Sequence, residues 1–312
     1  MECYRVIITP LTAFATPLKG DTLFGQFCWA VRNRFGESRL QECLEGYTQQ
    51  KPFTVISDVF PESFFPLPKL PGKFFKPLAN GDRKAIKKKN WLPEAKINQP
   101  LENWLQLAKS DVEISDKYHL LIEKNSQPHN TINRNTNTTG TLGFAPYNVE
   151  QEWYIPSTTW QFFILIDNNK INSDDCKQCL QDIGQLGYGK DASIGLGKFV
   201  INTFTIEKLP QQEAANSYLT LAPCAPQGLG FDGNNSYYQL FTRFGKHGDI
   251  AVHVGKPFKN PVLLAQTGAV LSHPDPVSGF IGQGIGGIGQ LSKTDAATVQ
   301  QGYAPSIAIR LE

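Results

Sequence analysis

The stretch Met1–Gly36, MECYRVIITPLTAFATPLKGDTLFGQFCWAVRNRFG, predicts a strand, a glycine-bearing loop and a helix in succession. Tyr4, Val6 and Ile8 alternate as on one face of a strand. The loop TPLKGD follows, Asp21 or Thr22 is placed to cap a helix, and Leu23, Phe27, Ala30, Val31 and Arg34 recur at roughly helical spacing. Outward from this unit, a second helix is predicted over Leu40–Tyr47, and FTVISDVFP reads as a short strand that ends in a proline-rich turn. The next run, FFPLPKLPGKFFKPL, carries too many prolines for regular structure.

From Asn80 to about Asn148 the composition changes. A basic run, RKAIKKK at Arg83–Lys89, precedes a predicted helix at Leu101–Ala108 and then the polar tract QPHNTINRNTNTTG. A polar stretch of this length inside a compact domain marks an insertion or a functional arm. Regular structure returns with WYIPSTTWQFFILI, an aromatic and β-branched run suited to a buried strand pair. Ser173 opens a helix on which Cys176, Cys179, Leu180, Ile183 and Leu186 share a face, and GKFVINTFTI alternates as a strand.

The order strand, helix, strand, arm, strand, helix, strand is that of the split βαβ, or ferredoxin-like, unit. The remainder offers strands at Tyr218–Leu221, Tyr237–Phe244, Pro261–Ser272 and APSIAIRL around a glycine cluster, with weak helical signal. The expected class is α+β: two ferredoxin-like (RRM-like) domains, 1–210 with an inserted arm at about 80–148, and a degenerate copy at 211–312.

With 312 residues, 40% of them hydrophobic, the chain can bury a substantial core, which excludes wholesale disorder. Lys+Arg 30 against Asp+Glu 28 leaves a net charge of +2, so any polyanion site must be a local patch. The most apolar run, Phe162–Ile166, is far shorter than the roughly 20 residues of a membrane span. A cytoplasmic protein with free thiols and no membrane partner is expected.

Several motifs mimic known chemistry. GFIGQGIGGIGQ at Gly279–Gln290 contains a formal G-x-G-x-x-G, but no βαβ unit follows it, so its glycines instead let a backbone approach RNA or a neighbouring element. Gly184–Lys190 resembles a phosphate loop except that a helix precedes it and Asp191 stands where Ser or Thr should bind Mg²⁺. That leaves a turn with a cationic tip, whose amides and Lys190 can hold a phosphodiester oxygen. Around Ser193 a nucleophile elbow is nearly formed, but Asp191 replaces its leading glycine and no His partner is evident. Cys176 and Cys179 form a lone C-x-x-C better read as core, and His247, Asp249 and His253 form at most a sparse metal set. In the arm, Asn130, Asn133 and Arg134 offer donors for sugar, phosphate or base edges.

Five segments in order, TPLKGDTLFGQF, SDVFPESFFPLPKLP, HNTINRNTNTTG, LGYGKDASIGLGKF and QGYAPSIAIRL, resemble the RAMP superfamily of CRISPR-associated proteins across nearly the whole chain. Within it they are most similar to the fourth subunit of type III-A (Csm) effector complexes. The resemblance implies paired ferredoxin-like domains with a thumb and a non-catalytic, cofactor-free role. It implies capping of the repeat-derived 5′ tag of the guide (CRISPR) RNA, target RNA met through the thumb, and contacts with the large polymerase-like subunit and a backbone RAMP subunit. Carried onto this sequence, the RNA-binding residues are Lys19, Asn133, Arg134, Gly187, Gly189, Lys190, Ser193, Gly282, Gln283, Gly284, Gly286 and Gly287, with catalytic and metal residues none. Lys19, Lys190 and the two glycine loops are expected to form one surface.

Three alternatives stay open, one of them a structural adaptor without RNA contact, whose basic and glycine-rich loops would face protein. The CRISPR-repeat endoribonuclease of the same superfamily shares the architecture, but no His precedes His119 to serve as an N-terminal general base. The capping subunit of a type III-B complex would do nearly the same job.

Overall fold

In the computed structural model the described residues are 1–77, 83–115, 120–140, 143–156, 158–248, 256–275, 277 and 279–311. Strand β1 (Glu2–Pro10) leads into α1 (Gly20–Phe35), α2 (Glu37–Leu44) and β2 (Thr54–Ile56). The arm holds β3 (Ile122–His129) and β4 (Tyr147–Tyr154), and β5 (Trp160–Ile166), α3 (Ser173–Leu186) and β6 (Phe199–Ile206) complete the first half. The second half contributes β7 (Ser217–Thr220), β8 (Leu240–Arg243), β9 (Val262–Ala265), β10 (Val270–Ser272), β11 (Phe280–Gly282) and β12 (Tyr303–Ile309).

The first sheet runs β6-β1-β5-β2, antiparallel throughout, with Phe60–Pro61 also paired to β5. Numbered within this unit the order is fourth, first, third, second, with α1 and α3 as the two crossovers, which is the split βαβ order. Val6 lies opposite Phe162 on one side and Phe204 on the other. Every residue of β5 is buried, because WQFFILI is covered on both faces. Phe162, Ile164 and Ile166 pack with Phe24, Phe27, Val31, Cys176, Leu180 and Ile183 on the helix side.

Phe163 faces the opposite way, into a second core with Phe60, Phe65, Trp104, Leu219, Val270, Ile307 and Ile309. The sheet β10-β7-β12-β11 thus shares a core with the first half across position 210. No α-helix occurs among the described residues from 207 to 311, so this half is a sheet with appended ribbons.

The structure departs from the sequence reading at several places. The proline-rich run expected to lack regular structure contains a short strand, Phe64–Pro66, paired with Lys89–Pro93 and carrying its proline at the end, and a 3₁₀ turn, Gly72–Phe74, while the strand expected over Pro261–Ser272 is divided by a turn into β9 and β10. Neither Asp21 nor Thr22 caps α1: Lys19 is the N-cap and makes no side-chain cap bond, while Asp21 is buried in the first turn. The second helix is Glu37–Leu44, and Tyr47–Gln49 is a separate 3₁₀ turn because Gly46 takes a left-handed φ of 73°. Leu186 is exposed, since it is the last residue of α3 before Gly187 turns the chain away. The predicted helix over Leu101–Ala108 divides into a 3₁₀ turn, Leu101–Asn103, and one α turn, Trp104–Leu107. The polar tract continues a long strand, β3, paired along its full length with β4 from Ile122↔Tyr154 to His129↔Tyr147. Its exposed residues carry no alternating apolar signal, so backbone pairing alone defines it.

Asp21 is almost fully inaccessible and receives two bonds from Arg243, Nε at 2.6 Å and Nη2 at 2.7 Å, which clamps α1 to β8. Burial pushes the Asp21 carboxyl up against the opposing pull of Arg243. Arg243→Ala is expected to cost about 3–5 kcal/mol by leaving a buried carboxylate unpaired. Adding Asp21→Asn should recover part of the loss; equilibrium denaturation of both variants measures the difference.

Candidate nucleic-acid interface

The interface begins where α1 starts. Gly20 sits so close to β2 that a Cβ would lie 2.2 Å from the Ile56 carbonyl oxygen, so only glycine lets the helix enter here. This approach brings the Gly20 amide within 2.8 Å of Asp58 Oδ1 and the Lys19 ammonium within 2.7 Å of Asp58 Oδ2. Thr267 Oγ1 donates to the same carboxylate at 2.5 Å. Lys19 therefore stands at the rim as one half of an ion pair, with a third of its side chain exposed.

Beside it lies the loop after α3. The Tyr188 hydroxyl donates to the Pro17 carbonyl at 2.8 Å and accepts from the Lys19 amide at 3.3 Å. Its ring is fully buried, which pushes the phenol well above its ordinary value and keeps it a neutral donor. Gly187 and Gly197 both take left-handed backbone, and side chains there would collide with the Leu196 and Tyr188 carbonyls at 2.4 and 2.1 Å. At Gly189 a Cβ would lie 2.6 Å from that of Thr16, and Thr16 Oγ1 accepts from the Lys190 amide at 2.9 Å.

The loop thus folds back on Thr16–Lys19 and presents Lys190 and Ser193 to solvent. The Lys190 ammonium is exposed and only loosely balanced by Asp191, 3.7 Å away. Lys19, Gly187, Gly189, Lys190 and Ser193 are brought together, and α3 precedes the loop in the order that no phosphate-loop enzyme uses.

The second glycine segment packs on different partners. The Gly282 carbonyl accepts from Gln50 Nε2 at 3.2 Å, and Gln283 Nε2 donates to the Gln227 carbonyl at 2.7 Å. Gly284 is buried, and a Cβ there would meet the Tyr47 carbonyl at 2.6 Å and the Tyr47 ring at 2.7 Å. Gly286 is held against the Thr298 carbonyl, whereas Gly287 is exposed, with Thr48 no nearer than 3.6 Å. Most of these glycines serve contacts within the protein. No helix follows them: Ile285–Gly286 pairs with Val299–Gln300 and the chain enters β12, so no dinucleotide-binding unit forms.

Asn133 and Arg134 lie at the tip of the β3–β4 ribbon, remote in sequence and built as a compact turn. The Asn133 amide donates to the Thr138 carbonyl at 3.0 Å, and Asn133 Oδ1 accepts from the Asn135 amide at 3.0 Å. Asn133 is thus partly occupied in shaping the turn, while Arg134 is exposed. At the base of the tip the rings of His129 and Tyr147 stack, 5.3 Å between centroids and 10° apart in plane. Asn130 is exposed beside them. A cross-strand aromatic pair was not legible before the register was known.

Of the sparse metal set, Asp249 and His253 lie outside the described residues, and His247 Nε2 is bonded to Ser292 Oγ at 2.8 Å. Cys176 and Cys179 are buried core thiols whose values burial pushes up, Cys179 to about 12. No group of three or more His, Cys, Asp or Glu is placed to hold a metal among the described residues. Among them, too, no helix is long and apolar enough to cross a membrane.

No protein-family model matches the chain, and no curated protein matches its sequence. Solved structures match it end to end. A chain of the Csm1–Csm4 cassette in complex with pppApA aligns with TM-score 0.59 at 15% identity, covering 100% of this chain and 99% of that one. A chain of the Csm3–Csm4 subcomplex of the type III-A CRISPR–Cas interference complex aligns with TM-score 0.59 at 14% identity, covering 98% and 99%. The component common to both assemblies is Csm4. The present chain has its fold. A third match, from the Csm1–Csm4 cassette with cA4, gives TM-score 0.58 at 15% identity over 99% of both chains.

The close approach at Gly284 makes a stability prediction. Gly284→Val forces a side chain into Tyr47 and is expected to lower stability by about 1–3 kcal/mol, an overpacking cost. Thermal and urea melts check this, and a fully stable variant would return the segment to a ligand-facing role.

Proposed function

We propose that this chain is a non-catalytic, RNA-binding subunit of a type III CRISPR effector complex that caps the 5′ repeat-derived tag of the guide RNA. The observation that carries the reading is the end-to-end likeness to the chain shared by the Csm1–Csm4 and Csm3–Csm4 assemblies. In this reading the chain docks a large polymerase-like subunit and abuts a backbone subunit, and its halves are two ferredoxin-like domains, at 1–210 and 211–312, the second reduced to a sheet.

The tag meets the rim formed by Lys19, Lys190 and the Gly187–Gly197 loop. Single-stranded RNA is held by scattered cations, backbone amides and stacking surfaces, which such a rim supplies without a dense basic stripe. The β8–β9 ribbon supports docking to a protein neighbour: Leu240 and Leu263 are exposed on it, and Phe244 just beyond. An exposed apolar face of this kind marks a protein contact.

The testing experiment is affinity purification of the tagged chain from its host, with sequencing of bound RNA and mass spectrometry of co-purifying proteins. Guide RNAs with a uniform 5′ end and a large polymerase-like partner are expected; a purified chain without RNA and without such a partner would refute the assignment. Within the purified complex, Lys190→Ala should weaken tag binding by on the order of 1 kcal/mol and reduce the salt dependence by about one phosphate contact. Unchanged affinity at low salt together with loss of the large subunit would place this loop against protein.

The arm has a separate role in this reading. Its ribbon reaches from the body with Arg134 at its tip, so it acts on target pairing near the 5′ end of the guide segment rather than on guide retention. Deleting residues 130–146, and closing β3 to β4 with a two-residue turn, should leave guide RNA bound while altering target pairing there. Loss of guide RNA from a folded variant would instead make the arm a primary anchor.

A further inference from the structure

A cleft of about 660 Å³ opens beside Lys69, whose amide donates to the Gly268 carbonyl, and among the described residues it is lined by Lys69, Lys87 and Lys89 with no carboxylate. Its volume falls in the range of roughly 300–1,000 Å³ usual for small-ligand sites. Around the lysines stand Asn90, Ser236, Tyr238 and Gln239, neutral groups that donate and accept. The Tyr238 ring is 46% exposed, whereas its neighbour Tyr237 is packed edge-on against Phe74.

Lys69 is the least expected of these groups. Its backbone is fixed by a bond from its amide to the Gly268 carbonyl at 2.8 Å, and its stem runs along Gly268. More than half buried, its ammonium is pulled below the ordinary lysine value, first by that burial and then by the charge of Lys19. A lysine held in a cleft whose described lining carries no carboxylate, in the field of a second lysine, gains from any anion that enters. Lys89 is partly engaged through a bond to the Gln106 carbonyl at 3.1 Å, while Lys87 is exposed on its helical turn.

We propose that this cleft binds one nucleotide of a single-stranded RNA, its phosphate on Lys69 and Lys87 and its base on the Tyr238 ring, as a continuation of the path that passes Lys19. The inference rests on the RNA-binding reading above and extends it to residues that reading does not use. RNA is favoured over an acidic peptide because an open aromatic face beside amide side chains serves a base and a ribose, and a peptide carboxylate needs neither.

The test uses the full-length chain and a fluorescein-labelled single-stranded RNA of about 12 nucleotides that begins with the repeat-derived tag, a length within the usual single-strand site size. Anisotropy titrations at about 50 and about 200 mM salt compare wild type with Lys69→Met, Lys87→Ala, Tyr238→Ala and Lys190→Ala. Lys69→Met and Lys87→Ala are each expected to weaken binding about fivefold at the lower salt and to reduce the salt slope by about 0.7, the single-strand value per phosphate. Tyr238→Ala should weaken it about fivefold or more with an unchanged slope.

Thermal melts establish that each variant is folded, and exposed Lys87 carries the test should Lys69→Met lose stability. Weakening by Lys190→Ala with none of the three cleft variants affected would overturn this site and leave the tag-binding reading standing. A wild-type chain that binds no RNA would overturn both. AMP displacing the RNA from wild type at concentrations where it ignores Lys69→Met would assign the cleft to a free nucleotide, and unchanged RNA affinity with loss of a protein partner would assign it to an acidic protein segment; either result refutes the RNA assignment.

Discussion

The buried carboxylate of Asp58 is the constraint around which the two halves are assembled. It leaves the end of β2 with a side chain 3% exposed, and an isolated charge in such a place would be untenable. Three donors from two parts of the chain satisfy it: the Lys19 ammonium and the adjoining first amide of α1 at Gly20, and the Thr267 hydroxyl from the turn between β9 and β10. Its own amide donates to the Leu221 carbonyl at 2.8 Å, so the backbone beneath the charge is tied across the same seam. The start of α1 also carries the positive end of the helix dipole, which favours an anion there.

This arrangement explains why the candidate interface sits where it does. Asp58 holds Lys19 at the rim, Tyr188 ties the following glycine loop to Pro17 and Lys19, and the Thr267–Gly268 turn carries the same rigidity to Lys69. The cations thus project from elements whose backbones are already fixed, and less entropy is lost on meeting a flexible strand. A second buried pair, Asp21 with Arg243, fastens the second residue of the helix to the β8–β9 ribbon. Charge pairs of this kind specify a geometry more than they add stability, since each ion loses its hydration on burial.

Much of the first half was legible because its signals are local and mutually consistent. Alternation in Tyr4–Ile8, the helical spacing of Leu23–Val31 and the unbroken apolar run of β5 each demand one element, and their order leaves one familiar topology. The chemistry of Asp21 was misread for a physical reason: an acid in a first helical turn ordinarily caps it, and only the distant Arg243 makes a buried clamp of it. The ribbon β3–β4 was illegible because β3 is exposed along nearly its whole length and β4 buries only Val149 and Gln151, so no sustained hydrophobic period marks them. Glycines 282–287 were legible as close approaches, but whether the approaching partner is RNA or Tyr47 is decided by tertiary packing alone. Lys69 could not be distinguished among so many lysines until the fold set it, half-buried, in a cleft with Lys87 and Lys89.

The placement of the histidines weighs the binding reading against a nuclease on the same architecture. Metal-free cleavage of RNA needs an acid and a base, each within hydrogen-bond reach of the reacting oxygens, or one water away. His119 and His253 lie outside the described residues; the other three stand apart from one another and are engaged elsewhere. His129 stacks on Tyr147 along the arm, His247 is bonded to Ser292 with burial pulling it toward the neutral form, and His273 is bonded among the Leu229 and Asp275 carbonyls. Among the described residues no His hydrogen-bonds any group of the rim at Lys19 and Lys190, whose titratable neighbours include Asp58, shared by three donors, Asp191, loosely paired with Lys190, and Tyr188, which burial holds neutral. The Tyr188 hydroxyl is also engaged, donating to the Pro17 carbonyl and accepting from the Lys19 amide. In the proposed reading these bonds hold Lys19 and the glycine loop in place to meet a phosphodiester.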